Sequence, residues 1–580
     1  DDEKLEAMNI ASNIKNELIK AINEAKWLDV ETRNNASHKV MSAKTNIGYP
    51  DFYRNDNEIT EIFRDLQIGE STYLHNVWKI HRFNAALTLR GTGNKDEHFA
   101  TWIPVLASTT SSTAFYYALE NVIVVSPNRL QRPTIDKTQP SYMNYGRIGF
   151  VIGHELGHVF DTLRNSISKD KITKDLLIKT SAENLNKRVN VRLPHRENIA
   201  DNVGVKMIYY AYKDWSSLHD PEPTLPGLNY TSSQMFWISL ASLRCTGRRT
   251  PNQYRIIGIL SNIPEFSKDF NCPLAQQSNM CITPTCLQAA ADIMENMDTS
   301  VNPCDNFFKF TCGQFLNSAF TRPDETTASW ISDMYEEIVT RLSGLLNSKI
   351  SENDIKLFRQ TKQLYRQCLD RKTLTEQQDK NILDILNKFG GWPVIQQITT
   401  TYQDHYPVKN FTNYSDDSLY YNFLIKYAVK LGAEEDRAKK EIMEAIKFES
   451  DLLNISSSAF RVIETNKSNP QNFMTIDEMM KQWPTIEWLT YINTVFSMVS
   501  DTKKINKIET VIVNYPTFIT NFEKFISFTP KRVLINYAFG RAIIDLLQLT
   551  NLGSNTIFEN KDLEMKDEND WRNCVRQTAD

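Results

Sequence analysis

Five residues, His154-Glu155-Leu156-Gly157-His158, set inside the apolar stretch from Ile148 to Phe160, constrain this chain more than any other feature. Ile148, Val151, Ile152, Leu156, Val159, Phe160 and Leu163 recur at steps of three and four residues and predict a helix with one buried face, off which both histidines lie. On such a helix His154 and His158 stand one turn apart. Their imidazoles then reach one zinc ion, while Glu155 beside them reaches a water on that metal. Two ordinary helical histidines are the rival reading. With nine histidines in 580 residues, chance placement of two at i and i+4 with a glutamate after the first is a poor explanation.

A zinc centre of this kind needs a third protein ligand and an open position. Glu197, in Glu197-Asn198-Ile199-Ala200-Asp201 at the head of a helix running through Tyr212, offers the carboxylate oxygen of a His2Glu set. Asp201, one turn further, is placed to accept the second ring N–H of a zinc histidine, with His154 the expected partner. The alternative is a solvated acidic pair favoured by the dipole at a helix start. Upstream, Thr113-Ala114-Phe115-Tyr116-Tyr117 and Val122-Ile123-Val124-Val125 read as paired strands turning near Asn121. A sheet edge beside a metal helix can hold an extended peptide by its backbone.

The length exceeds what one hydrophobic core fills, so two or more domains are expected. A formal charge of −4, with acids and bases interspersed, gives no footprint for nucleic acid or an anionic membrane. No run of about eighteen apolar residues occurs, and Asp1-Asp2-Glu3-Lys4 resembles neither a signal peptide nor an anchor, so these residues read as soluble. Eight cysteines, among them the pairs Cys281/Cys286 and Cys304/Cys312, suit disulfides in an oxidising compartment. A zinc ribbon is the competing use, but these spacings are poor for one and no histidine sits among them. Glycosylation triplets begin at Asn35, Asn229, Asn410, Asn413, Asn454 and Asn466. Ile10, Ile14, Leu18 and Ile22 mark a first helix, a second spans Thr32 to Lys44, and Ile47-Gly48-Tyr49-Pro50 stops it. From Trp330 to Cys574 the chain reads as almost wholly helical, for example over 334–346, 355–369, 419–431 and 438–453, with no catalytic constellation.

The chain resembles the neprilysin and endothelin-converting-enzyme family of zinc metallopeptidases. The resemblance rests on Asn144-Tyr145-Gly146 leading into Gly153-His154-Glu155-Leu156-Gly157-His158 and Phe160-Asp161, and on Glu197-Asn198-Ile199-Ala200-Asp201. Leu225-Pro226-Gly227-Leu228, Tyr254-Arg255-Ile256-Ile257-Gly258, Pro303-Cys304-Asp305-Asn306-Phe307-Phe308 and Cys312-Gly313 extend it over essentially the whole chain. The order is inverted: residues 281–580 resemble the family's first half and 1–280 its second. A permuted chain, a nicked molecule numbered from its later fragment, and halves of tandem copies all fit that order.

The resemblance implies a mainly α (α+β) fold of two lobes, zincin-like, in which a catalytic lobe with a small sheet and a large helical lobe enclose the active-site cavity. The expected division is 74–330 for the zinc lobe, with 281–330 packed on it, and 331–580 together with 1–73 for the helical lobe. It implies one Zn2+ per catalytic site, held by His154, His158 and Glu197, with Glu155 as general base, Asp201 supporting a ligand and Arg255 anchoring substrate. Thr113 and Ala114 take the place of the family's substrate-binding Asn-Ala pair, and Phe150, Val151, Leu243 and Arg244 border the pocket for the residue after the cleaved bond. Arg244, in place of an aromatic, points toward acidic or smaller side chains there; a solvent-facing Arg244 is the alternative. The implied disulfides are Cys281–Cys286, Cys368–Cys574, Cys304–Cys272 and Cys312–Cys245. The family's transition-state histidine is expected shortly before Thr250, where Arg249 stands here; it is either lost or belongs to a stretch missing between Arg249 and Thr250. The expected activity is zinc-dependent endopeptidase hydrolysis of oligopeptides in an extracellular or cell-surface ectodomain, glycosylated and disulfide-bonded. A catalytically impaired relative that binds peptides or proteins is the alternative. A membrane anchor outside these residues, a homodimer, or association with a related chain stay open.

Overall fold

The computed structural model describes residues 1–69, 71–93, 113–118, 120–159, 166–167, 173–174, 195–245, 251–271, 291–318, 329–396, 419–465, 472–497, 504–513, 515–549 and 570–579. The described chain is mainly helical with small sheets, and it divides into two units. The first holds residues 1–54, 101–341 and 580, the second 55–100 and 342–579.

In the first unit, α1 (Asp2–Glu24) buries Ala7, Ile10, Ala11, Ile14, Leu18 and Ile22, the three- and four-residue repeat of an amphipathic helix. Each such Ile or Leu contributes roughly 1.5–3 kcal/mol when fully buried. Asp29 caps α2 (Val30–Ser42), its carboxylate accepting the Thr32 N–H at 2.8 Å. β1 (Lys44–Ile47), β2 (Ala114–Tyr117) and β3 (Val122–Val125) form a sheet in the order β1-β3-β2, with β1 parallel and β2 antiparallel to β3. The central position of β3 explains its four consecutive buried residues. Asn121 makes the turn with φ 49°, a left-handed conformation that asparagine tolerates, and its side chain accepts from Tyr116 Oη at 2.8 Å. The paired strands expected around Asn121 are therefore present. The second expected helix stops at Ser42 because Lys44 N–H is taken by Asn121 O and Gly48 N–H by Val125 O, which makes 44–47 a strand.

After the sheet come α3 (Ser141–Gly146), α4 (Ile148–Gly157), α5 (His195–Ser217), α6 (Ser232–Ser242), α7 (Pro251–Ser261), α8 (Pro264–Asn271) and α9 (Phe307–Ser318). Cys245 and Cys312 are disulfide-bonded with Cα atoms 5.4 Å apart, tying the end of α6 to α9.

The second unit packs the helices Tyr73–Gly93, Arg371–Asn387, Leu419–Lys430, Glu435–Thr465 and Lys531–Leu549 around Leu74, Ile382, Trp392, Leu424, Ile442 and Ile543. Cys368–Cys574 closes a second disulfide. Arg532 pairs with both oxygens of Glu441 at 2.9 Å and donates to Pro393 O at 2.7 Å, a fully partnered half-buried ion pair. A two-stranded antiparallel sheet of Asn472–Thr475 with Thr510–Val513 interrupts the expected run of helices. No helix of the described residues is long and apolar enough to cross a membrane.

The units divide the chain differently from the boundaries expected in sequence, 74–330 against 331–580 with 1–73. Residues 1–54 belong with α3 and α4 because α1 packs on both: Ile10 lies against Gly149 of α4, and Asn13 donates to Tyr145 Oη of α3 at 2.6 Å. Residues 55–100 belong with the helical unit, where Asn76 donates to Gln367 Oε1 at 2.9 Å and Gln360 to Ile68 O at 2.8 Å. Of the implied disulfides, Cys245–Cys312 and Cys368–Cys574 are present. Cys272, Cys281 and Cys286 lie outside the described residues.

Candidate metal centre

The close packing of α4 on α5 sets the geometry. A Cβ added at Gly157 would lie 2.4 Å from Ala200 O, and one at Gly204 would lie 2.4 Å from Gly153 O, so the two backbones touch where only glycine fits. Gly157 lies between the two histidines in sequence, and Ala200 between Glu197 and Asp201. The same contact therefore brings both acidic residues to the histidines. Unlike the single buried face expected, almost all of α4 is buried, with Val151 half-buried. His158 caps its end in αR geometry, still one turn from His154; Phe160 and Leu163 lie outside the described residues.

His154 Nε2 and His158 Nε2 stand 3.0 Å apart. Glu197 Oε2 is 3.3 Å from His154 Nε2, and Glu197 Oε1 is 3.6 Å from His158 Nε2. Tetrahedral zinc with bonds near 2.05 Å separates neighbouring donor atoms by about 3.3 Å, so these residues fit a zinc ion. They are also the one group of three potential metal-ligating side chains that converges among the described residues. Asp201, fully buried, meets His154 Nδ1 at 2.8 Å. With Nδ1 donating there, Nε2 keeps a lone pair for a metal.

Arg255 Nε donates to Asp201 Oδ2 at 2.6 Å, and its Nη2 to Glu197 at 3.2 Å. Burial would raise the Asp201 carboxyl, but hydrogen bonds from His154 and Arg255 and the nearby Arg244 charge outweigh it and hold it at about 2. Glu155 moves the other way: burial, reinforced by Glu197, pushes it above the usual carboxylate range against the lowering influence of His154, His158 and the Tyr116 backbone N–H. That places β2 directly beside Glu155.

Of the other expected residues, Ala114 pairs with Val125, and exposed Thr113 accepts the Ser126 N–H through its carbonyl at 3.1 Å. Both stand at the start of β2. Phe150 is buried, with its ring centroid 6.3 Å from that of His154 and 4.6 Å from the Arg244 guanidinium carbon. Arg244 is thus turned inward. Leu243 is buried beside it in sequence. Sequence reasoning missed Arg129, in the short helix Pro127–Arg129 after β3. Burial pulls its pKa down to about 10, against the opposing pull of Glu155, and its charge is felt by Arg244. An arginine four residues after the end of an all-apolar strand was the signal available.

Two models described as peptidase family M13 match the chain. The model of the family's amino-terminal part covers 303–417 and 400–580, and the other covers 113–191 and 171–286. Their order along the chain is the inverted one. Neprilysin-2 of Drosophila melanogaster is 32% identical over 313 residues, which are 48% of this chain and 40% of that protein. Endothelin-converting enzyme 1 of Mus musculus is 32% identical over 311 residues, 47% of this chain and 40% of its own length. The chain thus spans about two fifths of these curated relatives. A zinc metalloprotease of Mycobacterium tuberculosis solved with an inhibitor is 23% identical, with a TM-score of 0.33 over 46% of this chain and 44% of that one, too slight a likeness to support an inference about shape.

Proposed function

Because the chain belongs to peptidase family M13, we propose that it is a zinc-dependent endopeptidase hydrolysing oligopeptides. The observation that carries this reading is the triangle of His154, His158 and Glu197, with edges of 3.0, 3.3 and 3.6 Å. A zinc ion held by these three residues supplies Lewis acidity, which polarises a scissile carbonyl and acidifies water. Glu155, buried beside the triangle with its proton affinity raised, takes a proton from the attacking water on a carboxylate oxygen and returns it to the leaving amine nitrogen. Asp201 holds the His154 tautomer, and Arg255, spanning Asp201 and Glu197, fixes the carboxylates and faces substrate. The start of β2, at Thr113 and Ala114, offers backbone groups to an extended peptide. Disulfides Cys245–Cys312 and Cys368–Cys574 suit an extracellular or cell-surface setting.

The test is hydrolysis of internally quenched peptides by the purified chain, with and without a zinc chelator, beside Glu155→Gln. Chelator-sensitive cleavage that the substitution abolishes is the expected result. Peptide binding without turnover in the zinc-loaded protein would overturn it in favour of a binding module.

A further inference from the structure

Three arginines surround the centre, and two of them have anions assigned. Arg255 is satisfied by Asp201 and Glu197, and Arg129 lies within electrostatic reach of Glu155. Arg244 is different. Its side chain is 22% exposed, its guanidinium lies over the Phe150 ring at 4.6 Å, and its nearest carboxylate oxygen, Asp201 Oδ1, is 3.8 Å away, beyond hydrogen-bond distance. The guanidinium donates no hydrogen bond to any described residue. Asp201 is already engaged on both oxygens, Oδ1 by His154 and Oδ2 by Arg255.

A half-buried guanidinium with its planar fork unmatched carries a desolvation cost that a bidentate carboxylate removes. Phe150 supports the group through a cation–π contact, which uses none of its N–H donors. The charge balance agrees. Glu155, Glu197 and Asp201 offset Arg129, Arg244 and Arg255, so a divalent metal leaves the centre with a formal excess of two positive charges. Phe150, which carries the Arg244 guanidinium at 4.6 Å, has its ring centroid 6.3 Å from that of His154. A peptide bond positioned at His154 therefore puts the side chain or terminus of a neighbouring residue within reach of Arg244.

We propose that Arg244, seated on Phe150, is a specificity residue that receives a substrate carboxylate carried next to the scissile bond. This rests on the endopeptidase reading and names its substrate class: acidic peptides. The carboxylate is an Asp or Glu side chain or a chain terminus. Arg129, close enough for its charge to weigh on Arg244, strengthens the preference for an anion without being its ligand.

The experiment uses the zinc-loaded chain and matched quenched peptides with Glu, Gln or Leu on either side of the cleaved bond, each as free acid and as amide. The expected result is a Glu-over-Gln ratio in kcat/KM of about tenfold or more at one position. That ratio falls to near one in Arg244→Met and to an intermediate value in Arg244→Lys, which keeps the charge but not the fork. If the chain terminus is the source, the acid-over-amide ratio moves instead. Binding of labelled Glu and Gln peptides to zinc-loaded Glu155→Gln, by fluorescence anisotropy, reads the same preference without turnover. Equal use of Glu, Gln and Leu peptides, or a ratio unmoved in both Arg244 variants, would overturn the proposal. Absence of chelator-sensitive cleavage with the binding preference intact would instead count against the endopeptidase reading alone.

Discussion

Replacing Asp201 by Asn tests how the centre is held together. The amide keeps the shape of the carboxylate but offers one acceptor where two are used. If its oxygen faces His154, its NH2 confronts Arg255 Nε across a 2.6 Å contact, donor against donor. If it is flipped, the NH2 confronts His154 Nδ1 and drives the ring proton to Nε2, the atom a metal needs. Either way Arg244 and Arg255 lose the charge between them. The Asp201 carboxyl sits at about 2 against an ordinary 3.8, so its ionised form is favoured by about 2 kcal/mol in this setting. Loss of such a ligand-orienting carboxylate weakens metal affinity by about 10- to 100-fold, the same range. Zinc titration against a chromophoric chelator at pH 7, with circular dichroism to verify folding, measures it. A folded Asp201→Asn protein whose zinc affinity lies within about twofold of the parent would refute this account of the His154–Asp201 bond.

Two further perturbations probe the surroundings. Gly157→Ala must push α4 from α5, since its Cβ would sit 2.4 Å from Ala200 O where ordinary contact begins at 3.4 Å. Zinc affinity should fall by roughly tenfold or more, even though alanine favours helix by about 1 kcal/mol; an unchanged zinc titration would show that the helices are not in contact there. Lys39 Nζ donates to Val159 O at 3.3 Å, and burial brings its pKa from 10.5 down to about 8. The unfolded chain therefore holds a proton between pH 8 and 10.5 that the folded chain has lost, and stability should climb across that window by at most about 3 kcal/mol. Urea midpoints of the parent and Lys39→Met, compared over that range, should diverge with pH; a constant difference would argue against a buried lysine.

The sequence makes the convergence of His154, His158 and Glu197 legible because its pattern is local. His154 and His158 are one turn apart, Glu197 and Asp201 are one turn apart, and each pair lies on a helix with a clear apolar period. The helices of the second unit were readable for the same reason. What escaped depends on partners distant in sequence. The apolar stripe of α1 fits any core, so nothing in Ile10, Ile14 and Leu18 says that they pack on α4. Lys44–Ile47 looks like a helix tail until β3 is there to pair with it. The strand pair of 472–475 and 510–513 has no turn signal, because its strands are far apart in the chain. Arg129 resembles a surface turn residue after Pro127 until the fold sets it near Glu155.

The contact of Gly157 with Ala200 also has a mechanical meaning. Glu197 faces both histidines and Asp201 meets His154 Nδ1, yet both ride on one helix, seated by the close contacts of Gly157 with Ala200 and of Gly204 with Gly153. Ligation and tautomer are therefore not separate settings. A slide of α5 along α4 would change them together, as one coordinate, and the affinity for zinc would serve as its gauge.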